Sequence, residues 1–315
     1  MILTYRVFTI GLIVLLAIAS SHAQEAQLRF SVVDDSGQTV ENLKSTDIQI
    51  TTKSGPIALT SLRFEEYKSL SVLIMIDASA SQERMLPFEK QAAETFIDRI
   101  LKQGRDMVAV VKFTGEVKLI HDLSDNFASV KSRTRGIQFE PPPGFGTGGR
   151  GVIMSVPAGA SPRAQIAAGA TSIFDSVSKA VLAFEQFDSK DGRKVILLIS
   201  DGVNTYGEKK LKEAIQAAVD ASVSVYSVGI GDSFYDGVDT KTLKKLSDQT
   251  GGISITPDEK KGNLDTLLLS LEPTLRKGYI ATFTGNKAVT REIGIEVITP
   301  SLKKKLRIYS PRAIR

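Results

Sequence analysis

Asp77, Ser79 and Ser81 place one carboxylate and two hydroxyls at every second position, directly behind five apolar residues, in the stretch "SVLIMIDASAS" at 71–81. A short, wholly apolar run bounded in this way reads as a buried strand. Residues i, i+2 and i+4 leaving it can project to one side while Ala78 and Ala80 stay out of the way. An acid and two neutral hydroxyls form a hard oxygen cluster, which suits Mg²⁺ or Mn²⁺. A second apolar run, "VILLIS", ends in Asp201, followed by a turn glycine, Gly202. A third position, Thr171, precedes an amphipathic stretch, as an N-cap or a ligand would. Three loops from one sheet edge could then enclose one cation. Taken alone, Asp-x-Ser-x-Ser also reads as turn capping, since Asp and Ser stop strands and start helices. Asp175 and Asn204 read as residues that cap or orient neighbours.

The elements that must position these residues are legible from periodicity. Between 70 and 276, continuous apolar runs (Val72–Ile76, Val108–Phe113, Val195–Ile199, Val223–Val228) alternate with helical stretches near 84–102, 172–187, 208–221, 240–249 and 263–276. Short strands apolar on both faces and separated by helices predict a doubly wound, mostly parallel α/β sheet with helices on both faces. Residues 24–69 and 277–315 alternate in the β manner around turns such as Asp35–Gln38. These two ends are expected to pack together as a small β-sandwich, with the α/β domain of 70–276 inserted between them. Asp34 and Asp35 read as a solvated hairpin turn, the alternative being a separate Ca²⁺ site. Residues 140–170, rich in Pro, Gly and Ala, read as a long loop. The glycines at 146–151 follow no strand and lack the Lys-Ser/Thr of a phosphate-binding loop.

The first 23 residues have the layout of a secretory signal peptide: one early positive charge at Arg6, an apolar run at 7–19, and Ser-His-Ala before the expected cut. The apolar run is shorter than the roughly 18–20 residues that cross a bilayer; an uncleaved anchor is the alternative. The expectation is a secreted, periplasmic or cell-envelope product with no membrane span after cleavage. The chain has no cysteine, which excludes disulfides, thiolate metal sites and thiol nucleophiles. The formal charge of +5 falls to +4 once Arg6 is removed. The basic residues occur as scattered pairs plus Lys303–Lys305, with no interleaved aromatics. A solvated face is expected there, not a nucleic-acid surface.

The stretch from 70 to 276 resembles the von Willebrand factor type A domain. That family carries Asp-x-Ser-x-Ser after its first strand, a later Thr and an Asp after its fourth. Asp77, Ser79, Ser81, Thr171 and Asp201 match in type and order. The flanks resemble a narrower group of secreted bacterial relatives, over Val33–Asp47 and Leu271–Thr284. Two departures are visible: Ala80 stands where the family has Gly, and Gly169-Ala170 precedes Thr171 in place of two glycines. A methyl at 80 is expected to restrict the loop and lower metal affinity. The resemblance implies a metal-ion-dependent adhesion site for Mg²⁺ (or Mn²⁺ or Ca²⁺). Ser79, Ser81 and Thr171 would coordinate directly or nearly so, and Asp77 and Asp201 partly through water. An open position would take an acidic residue of a partner protein.

The expected function is therefore a metal-dependent protein-binding module, not an enzyme. Two alternatives stand beside it: a metal-assisted hydrolase, and a structural envelope protein with a vestigial site. After signal removal the one histidine is His121, in "KLIHDLSD", read as a strand-to-helix connection. No Gly-x-Ser-x-Gly nucleophile elbow accompanies it.

Overall fold

The structure, a computed structural model, describes residues 25–52, 54–67, 69–140, 169–186, 192–234, 237–257, 264–284, 293–303 and 305–311. The expected signal peptide at 1–23 and residues 141–168 of the expected long loop lie outside the described residues.

Thirteen strands are described. β1 is Glu25–Asp34, β2 Ile48–Thr52, β3 Gly55–Ile57, β4 Leu59–Glu66, β5 Leu70–Asp77, β6 Met107–Phe113 and β7 Val117–Ser124. β8 is Arg193–Ser200, β9 Ser224–Gly229, β10 Ser254–Ile255, β11 Lys277–Thr284, β12 Gly294–Val297 and β13 Leu306–Tyr309. The helices are α1 (Leu86–Ile100), α2 (Phe127–Arg135), α3 (Ile173–Gln186), α4 (Leu211–Asp220), α5 (Thr240–Gln249), α6 (Leu264–Leu269), α7 (Glu272–Arg276) and α8 (Pro300–Lys303).

The predicted doubly wound sheet is present, in the order β10-β9-β8-β5-β6-β7. β5 sits at its centre and is buried along its whole length. Its side chains divide by parity. Leu70, Val72, Ile74 and Ile76 join one core with α1, α2, Leu268 and Leu275. Leu73 and Met75 join the other with α3, α4 and α5. This explains the unbroken apolar run: with helices on both faces, neither parity can be polar.

Two features differ from expectation. β7 is an antiparallel edge strand on β6, reached through a turn in which the Thr114 amide donates to the Glu116 carbonyl (2.9 Å). Its residues are all half-buried or exposed. Its sequence therefore carries no apolar run, and the α2 helix behind it was missed as well. His121 lies within this strand, not in a connection after it. The expected helix at 263–276 is broken between α6 and α7. Pro273, which has no amide to donate, opens the second piece.

The two chain ends form two further sheets, β13-β1-β11-β4 and β12-β2-β3. They enclose one core that includes Phe30, Val32, Ile50, Tyr279, Ala281 and Phe283. The Tyr279 ring stacks on Phe30 at 5.4 Å, and its hydroxyl donates to the Val40 carbonyl (2.8 Å). At the junction with the α/β unit, Arg276 donates to both carboxylate oxygens of Asp106, one at 2.8 Å, and to the Ile100 carbonyl (2.8 Å). Asp106 also accepts from the amides of Leu70 (2.9 Å) and Lys102 (2.7 Å).

Candidate metal centre

The parallel register fixes the site. Ile76 of β5 lies opposite Ile199 of β8, so Asp77 emerges beside Ser200 and Asp201 at the carboxyl edge of the sheet. In open α/β sheets this edge is where ligands bind. Asp77 is fully buried. One of its oxygens accepts from the Ser79 amide (3.0 Å), the other from the Ser200 hydroxyl (2.7 Å). Asp201 accepts from the Val203 amide (2.9 Å) and from the Ser81 hydroxyl (2.7 Å). The last bond joins residues 120 positions apart. The Ser79 and Ser81 hydroxyls are 3.3 Å from each other. Because Ser81 spends its proton on Asp201, it can only accept from Ser79, and a lone pair stays available to a cation.

Thr171 reaches the same edge through its backbone. The Ala80 amide donates to the Gly169 carbonyl (2.9 Å), which ties the Thr171 loop to the Ser79–Ser81 turn. The Thr171 carbonyl accepts from the amides of Thr205 (2.9 Å) and Tyr206 (3.0 Å), and its amide donates to the Thr205 hydroxyl (2.9 Å). Three loops, at 77–82, 169–172 and 200–206, are thus laced together. Glu140 also belongs here: its amide donates to the Ala78 carbonyl (3.2 Å) and its carboxylate pairs with Lys112. Both described ends of the expected long loop therefore meet the turn that carries the serines.

Local chemistry explains each turn. Ala80 opens a 3-10 turn, Ala80–Gln82. Among the described non-glycine residues only Ser222 has positive φ. The methyl at 80 therefore sits in ordinary helical backbone and imposes no left-handed strain. Gly202 differs. Its φ is +83°, and a Cβ there would stand 2.8 Å from the Asp239 carbonyl oxygen. Only glycine turns the chain this tightly behind Asp201. Asp175 and Asn204 serve as orienting groups: Asp175 accepts from the Lys209 amide (3.1 Å), and Asn204 accepts from the Phe174 amide (3.2 Å) and donates to the Tyr206 carbonyl (3.0 Å). Asp34 accepts from the Ser36 and Gln38 amides, the bonds of a turn.

The electrostatics are dominated by burial. Desolvation, and then the Asp201 carboxylate, push the Asp77 carboxyl up to about 7 against the bonds from Ser79 and Ser200. Two groups that sequence reasoning missed share this environment. Ser200 holds the buried oxygen of Asp77. Glu89, in the first turn of α1, is fully buried; neither of its carboxyl oxygens makes a hydrogen bond of ordinary geometry, and the Asp77 backbone bonds to it only weakly. Burial, Asp77 and Asp201, in that order, raise its carboxyl well above the usual range. The signal for Glu89 was present: it occupies a position in the apolar stripe Leu86, Glu89, Ala92, Ala93, Phe96, Ile97, Ile100.

The donors at this edge are all oxygen, mixing hydroxyls with carboxylates. Among the described residues no group of three His, Cys, Asp or Glu side chains forms a metal cage by itself. A cation here would rest on Ser79, Ser81 and Thr171 as much as on Asp77 and Asp201. That donor chemistry fits a hard divalent ion that keeps some water. His121 takes no part: it pairs with Val110 inside the sheet, and its ring nitrogens contact the Asp122 carbonyl (2.7 Å) and the Ser129 hydroxyl (2.9 Å).

Comparison with known proteins bears on the α/β unit. Among solved structures, a conserved hypothetical protein, BatB, from Bacteroides thetaiotaomicron is 17% identical over 65% of this chain and 98% of its own, with a TM-score of 0.46. Proximal thread matrix protein 1 from the mussel byssus, in a structure described as having a zinc-occupied MIDAS motif, is 17% identical, with a TM-score of 0.47. The match covers 66% of this chain but only 48% of the thread protein. A von Willebrand factor type A protein from Catenulispora acidiphila is 12% identical over 93% of this chain and 75% of its own, at a TM-score of 0.47. No curated protein matches the sequence. Two family models described as von Willebrand factor type A domain match residues 72–204 and 163–267, which together span the described sheet edge and its helices. The chain belongs to the von Willebrand factor type A domain family.

Proposed function

We propose that this protein is an exported, metal-dependent protein-binding module. In this reading Asp77, Ser79, Ser81, Thr171 and Asp201 hold a divalent cation, Mg²⁺ foremost, which captures an acidic residue of a partner protein. The observation that supports it best is the 2.7 Å bond between Ser81 and Asp201, which draws two separate loops onto one point beside Asp77. The ion would supply positive charge in a pocket whose protein groups are neutral or acidic. The hydroxyls leave that charge largely uncancelled, so an outside carboxylate is attracted to it. Ser200 and the backbone ties between Ala80, Gly169 and Thr171 keep the donors in place before the ion arrives.

Binding, not catalysis, is the reading we adopt, because the donor set carries no histidine positioned as a base and His121 is engaged within β7. Export rests on the sequence at 1–23. No helix among the described residues is long and apolar enough to cross a membrane.

Calorimetric titration of Mg²⁺ and Mn²⁺ into wild type and Asp77→Ala tests the metal. Binding is expected in the first and absent in the second; equal binding in both overturns the assignment. Capture of envelope proteins with and without chelator, and with excess acetate as competitor, tests the partner's chemistry. Capture that ignores both chelator and acetate removes the acid-capture reading. Turnover of ester, phosphate or peptide substrates that depends on Mg²⁺ and on Asp77 would favour the hydrolase instead.

A further inference from the structure

We infer that Glu89 is a positioning residue of the same centre, its carboxylate kept beside Asp77 and Asp201 to accept hydrogen bonds from water that a bound divalent cation carries. This rests on the cation reading above and adds a residue to it.

The argument begins with what Glu89 does not do for the fold. It lies on the core-facing stripe of α1, three residues after Leu86 and three before Ala92, where every other member is apolar. It is fully buried. Buried carboxyls are ordinarily paired or hydrogen-bonded, since leaving them bare costs their full desolvation. Asp106 shows the ordinary case in this molecule, with Arg276 and two amides around it. Glu89 has no side-chain partner and no hydrogen bond of ordinary geometry on either oxygen; the Asp77 backbone bonds to it only weakly. Its charged neighbours, Asp77 and Asp201, are both acids, and no Lys or Arg among the described residues pairs with it or with Asp77. The first turn of a helix tolerates an acid through its dipole, but that leaves two oxygens unsatisfied. Charged residues on the outer side of α1 do find partners: Lys90 donates to the Arg135 carbonyl, and Glu94 takes the Arg135 guanidinium.

A buried carboxyl with no cationic or side-chain partner, facing two more carboxyl groups, is explained if something positive and hydrated comes between them. A hard divalent ion supplied with few protein ligands retains water molecules, which present hydrogens outward. An acceptor placed to receive those hydrogens fixes the waters and, through them, the ion. Such outer groups typically change metal affinity by about 10–100-fold when removed.

The test uses the full chain as wild type, Glu89→Gln and Glu89→Met, titrated with Mn²⁺ and Mg²⁺ by calorimetry and melted with and without Mn²⁺. Glu89→Gln preserves shape, so it carries the test even if the methionine variant folds poorly. The expected result is a loss of about ten-fold or more in Mn²⁺ affinity. The Mn²⁺-induced rise in Tm should shrink relative to each variant's own metal-free Tm. A merely structural role would shift the metal-free Tm and leave that rise intact. Variants that bind Mn²⁺ as tightly as wild type overturn the role of Glu89 while leaving the centre standing. Wild type that takes up neither ion overturns the cation reading, and the inference with it.

Discussion

The two ends of strand β5 bury the same chemical group and treat it in opposite ways. At the Leu70 end, Asp106 is fully buried and fully satisfied: Arg276 covers both of its oxygens, and the amides of Leu70 and Lys102 complete it. At the Asp77 end, Asp77 and Asp201 lie among serine hydroxyls and backbone amides with Glu89 near them; burial first, then Asp201, raises the Asp77 carboxyl, and burial first, then Asp77 and Asp201, raises that of Glu89. The first arrangement neutralises the carboxylate within the chain, with only the Arg276 Nε left unpartnered, and ties the α/β unit to the sandwich that follows Arg276. The second has no counter-charge among the described residues, and in the proposed reading a cation supplies it. On that reading a buried carboxylate marks structure where its counter-charge is encoded and a binding site where it is not.

The sharpest way to break this contrast is at the closed end. Arg276→Met leaves Asp106 buried without its counter-ion and should lower the unfolding free energy by about 3–5 kcal/mol, read by urea denaturation. A loss under about 1 kcal/mol would mean that the junction is not closed in the sense argued. At the open end, Asp77→Asn should abolish the stabilisation that Mg²⁺ gives wild type, about 2.7 kcal/mol at one hundred times its dissociation constant. An unchanged Mg²⁺-induced Tm rise in this variant would erase the distinction between the two ends.

The same contrast has a pH signature. In chelator, Asp77 titrates near 7 in the folded chain and near its ordinary value of 3.8 when unfolded. The native state therefore binds the extra proton between these limits. Its contribution to stability falls as pH rises from about 4 to 7 and is level above that. Subtracting the profile of Asp77→Asn from that of wild type should expose this slope; parallel profiles would show that Asp77 is not burdened by its burial. The smallest effect is expected at Ala80. Ala80→Gly should cost at most about 0.5–1 kcal/mol in the 3-10 turn and leave Mg²⁺ affinity unchanged. A clear gain in affinity would restore the restricted loop that the sequence suggests.

Much of this was legible before any coordinates. The four central strands could be read because each is buried on both faces and so cannot interrupt its apolar run. Asp77 and Asp201 could be read because an acid directly behind such a run stands at the sheet edge. β7 could not: an edge strand half-open to solvent has no reason to exclude Lys118, His121 or Asp122. Pro273 gave a local sign of the break between α6 and α7, but the helical period around it was strong enough to hide it.

By itself, then, the sequence determined which residue types arrive at the carboxyl edge and in what order, because strand periodicity and turn chemistry are local. Only the tertiary structure decided that they meet. The register of β5 on β8 sets Ser200 against Asp77, and the backbone bond from Ala80 to Gly169 brings in the Thr171 loop. It also decided that Glu89 faces two acids with no cation or side-chain partner of its own. Burial and charge proximity are properties of packed neighbours far apart in the chain, and no local pattern carries them.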